Sequence, residues 1–75
     1  MAGQNRDVQT VPVGDGWANK VGGMQVGGVF RTEKEAAAAG RELATQNRSE
    51  HTIHGQDGKI RSKNSYGTDP RDIRG

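Results

Sequence analysis

The residues with the plainest capacity for chemistry are His51 and His54, the two histidines of the 75-residue chain. On a helix, side chains three apart meet and could share a metal ion. On a strand, an odd spacing sends them to opposite faces. The segment "EHTIHG" reads as strand, so the pair is not expected to chelate, and His54 is expected to pack against the following turn. Asp57 falls within that turn, whereas a metal centre needs three convergent ligands. Ser49, Ser62 and Ser65 lack the strained strand-to-helix elbow and partnered histidine of an activated nucleophile. The chain has no cysteine, which excludes disulfides and thiolate metal sites. These residues therefore yield no catalytic, metal or cofactor-binding assignment, and the chain reads as a non-enzyme.

Two stretches could hold an anion. "VGGMQVGGVF" (21–30) repeats VGG, but a phosphate cradle should open onto a helix N-terminus free of negative charge. The following turn carries Glu33 and Glu35, and the Gly-Lys-Ser/Thr ending of a phosphate loop is missing. A turn at Gly22–Gly23 followed by an extended segment is the better reading. In "KIRSK", Lys59, Arg61 and Lys63 alternate, which on a strand places them on one face about 7 Å apart. Arg48 joins them at the hairpin base. Contacts of this kind to phosphates would be sequence-tolerant and salt-sensitive. The aromatic side chains are Trp17, Phe30 and Tyr66, and stacking on single strands needs more exposed rings than these. A charged outer strand that resists edge pairing is the competing account.

The elements that must position these groups follow from local pattern. "DVQTVPV" is rich in Val and Thr and reads as a strand. Pro12 donates no ladder hydrogen bond, which places that strand at an edge or leaves its N–H side free. "GDG" turns the chain, and "WANKV" returns. "TEKEAAAAGRELATQN" is a helix with Thr32 as N-cap and Glu35 three residues on. Ala36, Ala37, Gly40, Leu43 and Ala44 share one face. That stripe of small residues implies close approach to a sheet, with Leu43 as anchor, and close packing accounts for the mid-helix Gly40. "EHTIHG" and "KIRSK" then flank an Asp57–Gly58 turn. If Ile53 and Ile60 both face the helix, a two- or four-residue loop is required. The expected fold is α+β, an antiparallel sheet of four to five strands (hairpin, short strand, helix, hairpin) with one helix packed on one face. Trp17, Phe30, Leu43, Ile53 and Ile60 are its expected core anchors.

Three segments in order, "VPVGDGWANKV", "FRTEKEAAAAGRELA" and "IHGQDGKIRSKNSYGTDP", resemble the small prokaryotic proteins of domain-of-unknown-function family 2188. That family's pattern includes a Gly-Trp turn, a Thr-capped Ala-rich helix and an Ile-His-Gly-x-Asp-Gly-x-Ile-Arg hairpin. The likeness spans roughly residues 8–70 and departs in the Gly-rich 22–28 stretch and in alanines where larger apolar residues are usual. It implies a bacterial or phage protein with this element order, and no activity.

Composition bounds the rest. The chain is expected to form a single α+β domain over 7–66, with flexible flanks at 1–6 and 67–75. Leu, Ile, Val and Phe number 11 of 75, so the core is thin for an independent domain. A second copy or a protein partner would supply missing burial. The net charge is +2, with a mild excess in 48–75, which permits an anionic partner without requiring one. No apolar run approaches membrane-spanning length, and the segment Met1–Asp7 is polar, so a cytoplasmic protein is expected. The leading functional expectation is a non-catalytic interaction module that binds a protein or itself. The alternative is nucleic-acid binding through Arg48, Lys59, Arg61 and Lys63.

Overall fold

The computed structural model describes residues 6–66. The flanks expected to be flexible lie outside that range, apart from Arg6. Five strands and one helix follow in the order β1 (Val8–Val13), β2 (Gly16–Val21), β3 (Met24–Phe30), α1 (Glu33–Asn47), β4 (Glu50–His54) and β5 (Ile60–Ser65). They form a single five-stranded sheet, ordered β3-β2-β1-β4-β5, with the helix on one face.

One expectation about the sheet is corrected. It is mixed rather than wholly antiparallel, because β1 and β4 run parallel through Val8–His51, Gln9–Thr52 and Thr10–Ile53. Chain direction dictates this. Two tight turns make β3 run the same way as β1, and a helix about 22 Å long carries the chain back along the sheet, so β4 starts from the same end. Strand β1, with its proline, is central, and of the two placements expected for it the free N–H side is the one found. Pro12 is tolerated because pairing with β4 stops at Thr10, which leaves its nitrogen side free.

The helix begins as its sequence requires. Thr32 is extended, and its hydroxyl accepts from the Glu35 amide at 3.1 Å. At the other end Arg48 adopts a left-handed conformation (φ 54°), and the Arg48 and Ser49 amides donate to the Thr45 and Ala44 carbonyls. Those bonds satisfy carbonyls the last turn would otherwise orphan. The buried helix stripe is Ala36, Gly40 and Ala44, with Leu43 half-buried beside it. Across the sheet, Phe30, Trp17 and Pro12 form one cross-strand row on the helix side.

The last hairpin departs from expectation in register. Its strands are joined by residues 55–59, in which Gly55 and Lys59 pair and leave a three-residue tip, Gln56–Asp57–Gly58. The Gly55 amide donates to the Lys59 carbonyl at 2.7 Å, Gly58 sits at φ 85°, and the Asp57 carboxylate accepts from the Lys59 amide at 3.0 Å. An odd loop places Ile60 opposite His54, on the face away from the helix. Ile60 is consequently 59% exposed and is not a core anchor. A bulge between the Ile53 and His54 pairings then inserts Arg61 as an extra residue and returns Ser62 to the helix side opposite Ile53.

Candidate functional site

The centre of the covered sheet face is polar. Of the four largest fully buried side chains, His51, Val8, Asn19 and Thr10, three carry hydrogen-bonding groups. Cross-strand register brings them together: Asn19 pairs with Thr10 across β2–β1, and Val8 with His51 across β1–β4. Thr10 Oγ1 lies 2.5 Å from Asn19 Oδ1 and 2.7 Å from His51 Nε2, and Asn19 Nδ2 lies 2.9 Å from the Ala36 carbonyl of the helix.

Donor arithmetic fixes the direction of this chain. The Ala36 carbonyl only accepts, so the Asn19 amide nitrogen faces the helix and its oxygen faces Thr10. The Thr10 hydroxyl has one proton, which it donates to Asn19, so it must accept from His51. His51 is therefore protonated at Nε2, with the chain running from imidazole to hydroxyl to amide to helix carbonyl. The ring is 2% exposed, and burial in this setting holds the His51 pKa below its ordinary 6.5.

Gly40 is the reason this cluster fits. A Cβ there would stand 2.5 Å from Asn19 Oδ1, 2.7 Å from His51 Nε2 and 2.8 Å from Thr10 Oγ1. The helix can descend onto a polar sheet centre only because no side chain stands between them. The sequence-derived expectation of close packing at Gly40 is met, against polar atoms rather than apolar ones.

His54 lies on the opposite face from His51, as strand spacing requires. Its Nε2 is shielded from solvent and has no hydrogen-bond partner among the described residues. Within the same residues no three His, Asp or Glu side chains converge as metal ligands.

The expected basic row does not form. The bulge turns Arg61 toward the helix, where its guanidinium meets Glu33 at 2.9 Å. Its aliphatic stem crosses over Gly55, where an added Cβ would lie 3.0 Å from Arg61 Cδ. Lys63 stays on the outer face and pairs with Glu50 at 3.4 Å. Lys59 is exposed beside the turn, and Arg48 is exposed at the far end of β4, where it ends the helix. The four cations are thus divided between two faces and two ends of the hairpin.

The outer face carries apolar side chains among polar ones, since Gln9, Lys20, Thr52, His54 and Lys63 also lie on it. Alternation from Thr10, Asn19 and His51 assigns Val11, Val13 and Ala18 to it, together with Ile60. Val29 joins them, since a Cβ on Gly16 would collide with Val29 Cγ1 at 2.7 Å. Val29 is 60% exposed, and no element of the described residues covers this face.

The model of one protein family, described as an uncharacterized protein conserved in bacteria (DUF2188), matches residues 8–66. The chain belongs to this family. The matched DUF2188 region coincides with the sheet and helix, so the Gly40 gap and the polar centre both fall inside it. No curated protein and no solved structure matches the chain. No helix among the described residues is long and apolar enough to cross a membrane.

Proposed function

We propose that the protein is a non-catalytic interaction module that associates with a second copy of itself through the uncovered sheet face. The observation that carries this reading is the apolar outer surface of Val29 and Ile60, both exposed, with half-buried Val11 and Val13, opposite a helix-covered face whose centre is polar. Burial on the helix side is modest: the buried apolar side chains there are Val8, Trp17, Ala36 and Ala44. A chain this small gains from an added apolar interface.

Face-to-face contact is favoured over edge pairing because both edge strands are interrupted. β3 shifts register between its Trp17 and Asn19 pairings, with Gly27 at φ 73°, and β5 is bulged at Arg61. Bulges and charged side chains blunt edges against strand addition. Two copies related by a two-fold axis would bring identical patches together, with the sheets about 10 Å apart. Nucleic-acid binding would instead need the cations gathered on one face, and Arg61 and Lys63 are engaged with Glu33 and Glu50.

Analytical ultracentrifugation tests the reading. A concentration-dependent dimer is expected, converted to monomer by Val29→Lys with Ile60→Lys. A monomer at every concentration up to the millimolar range would refute self-association.

A further inference from the structure

The helix rests chiefly on β1 and β2, so a trough opens between its flank and the β4–β5 hairpin. Lys34, Ala37, Ala38 and Arg41 form its helical wall, at positions that repeat along one side of α1. Ile53 lies on the floor, and Asn64 and Tyr66 stand on the far side, enclosing about 380 Å³ that is open to solvent along its length. Toward the helix start the trough shares lining residues with a depression of about 280 Å³, where Arg61 bridges to Glu33. Beyond Arg41 it shares lining residues with a third depression, of about 500 Å³, that runs past Glu42 to Thr45.

The charge arrangement selects an occupant. Lys34 and Arg41 are two turns apart, about 10 Å along the helix, and neither has a carboxylate partner among the described residues. Between them the wall is reduced to the methyl groups of Ala37 and Ala38. The result is an apolar stretch with a cation at each end and polar groups of Asn64 and Tyr66 opposite. Carboxylates on one side of an extended peptide, two to four residues apart, span about 7 to 13 Å, which brackets the cation separation. An enclosed small-molecule site would bury most of its ligand, whereas this trough is open and continuous, as a chain segment requires. A nucleic-acid strand, charged at every step, would run against Glu42 in the adjoining depression and find one aromatic side chain, Tyr66, on which to stack.

We propose that the trough between α1 and β5 binds an extended acidic peptide segment. Lys34 and Arg41 each pair with one of its carboxylates, and an apolar side chain between them seats on Ala37, Ala38 and Ile53. This surface lies on the helix side of the sheet, away from the apolar outer face, so it stands independently of self-association.

The test is a nitrogen-15 correlation titration of the full chain with a blocked Ser-Asp-Ser-Val-Ser-Asp-Ser peptide, which when extended places both carboxylates and the intervening valine on one side, beside an Asn-for-Asp control. Saturable shifts confined to Ala37, Ala38, Ile53, Asn64 and Tyr66 are expected, at least ten-fold weaker with the control peptide. Lys34→Glu with Arg41→Glu should abolish binding while leaving the rest of the spectrum unchanged, since both side chains are exposed. Ala38→Tyr, which fills the trough without altering charge, should block it as well. The proposal fails if trough resonances do not move, if the charge-reversed variant binds equally, or if a single-stranded oligonucleotide shifts the same residues more strongly than the peptide.

Discussion

The two faces of the sheet each depart from the usual arrangement at one place. Beneath the helix, where apolar packing is expected, the centre is a hydrogen-bonded chain of His51, Thr10 and Asn19 ending on the Ala36 carbonyl. On the face that no described element covers lie Val11, Val13, Val29 and Ile60, among polar neighbours. Buried polar chains add little net stability, but leaving any member unpaired is costly. Such a chain punishes wrong registers more than it rewards the right one. The covered face therefore specifies how β1, β2, β4 and the helix align, and the open face keeps its apolar area for association.

The largest effect should come from closing the gap that the polar centre needs. Gly40→Ala would gain about 1 kcal/mol in helix propensity, yet its methyl group would overlap three polar atoms at once. Overpacking of this kind costs about 1–3 kcal/mol, and disrupting the bonds beneath adds to it. A net loss of about 2 kcal/mol is expected in chemical denaturation, and a gain would break the comparison at its root. Asn19→Ala comes next. It strands the Thr10 hydroxyl and removes the tie to the Ala36 carbonyl, for an expected loss of about 1–2 kcal/mol.

Acid should weaken the covered face in a defined direction. The His51 pKa is lowered by burial from 6.5, so the folded state prefers the neutral ring. The stability this contributes is fully present above the unfolded value and is lost as pH falls through the folded one. Urea midpoints should therefore drop below about pH 6.5, and His51→Gln should flatten that part of the profile. The smallest effect belongs to Arg61→Ala. Its bridge to Glu33 is largely solvent-exposed, and a change within about 0.5 kcal/mol is expected.

Legibility in the sequence divided along the same line. The Thr32 cap, the small-residue helix stripe, the first hairpin and the Asp57–Gly58 turn follow from local chemistry, and the structure contains each of them. The parallel β1–β4 pair was not foreseen, because hairpin signals describe neighbours in sequence and this pair joins strands on either side of the helix. The basic row was misread because one loop residue and one bulge change side-chain parity, and neither leaves a compositional mark. The polar centre did leave a signal. Thr10, Asn19 and His51 occupy the same alternation as Val8, Trp17 and Ile53, which is the buried side, and the helix stripe above them contains a glycine. Polar residues in core register opposite a gap are a readable sign of a buried hydrogen-bonded cluster.

Sedimentation equilibrium of the intact chain, with Val29→Lys/Ile60→Lys alongside, tests most directly whether the open face is the interacting one. The account predicts a reversible dimer for the natural sequence and a folded monomer for the double variant, with denaturation of the variant's monomer little changed. A natural sequence that stays monomeric at all concentrations, or a double variant that dimerises equally well, would contradict it.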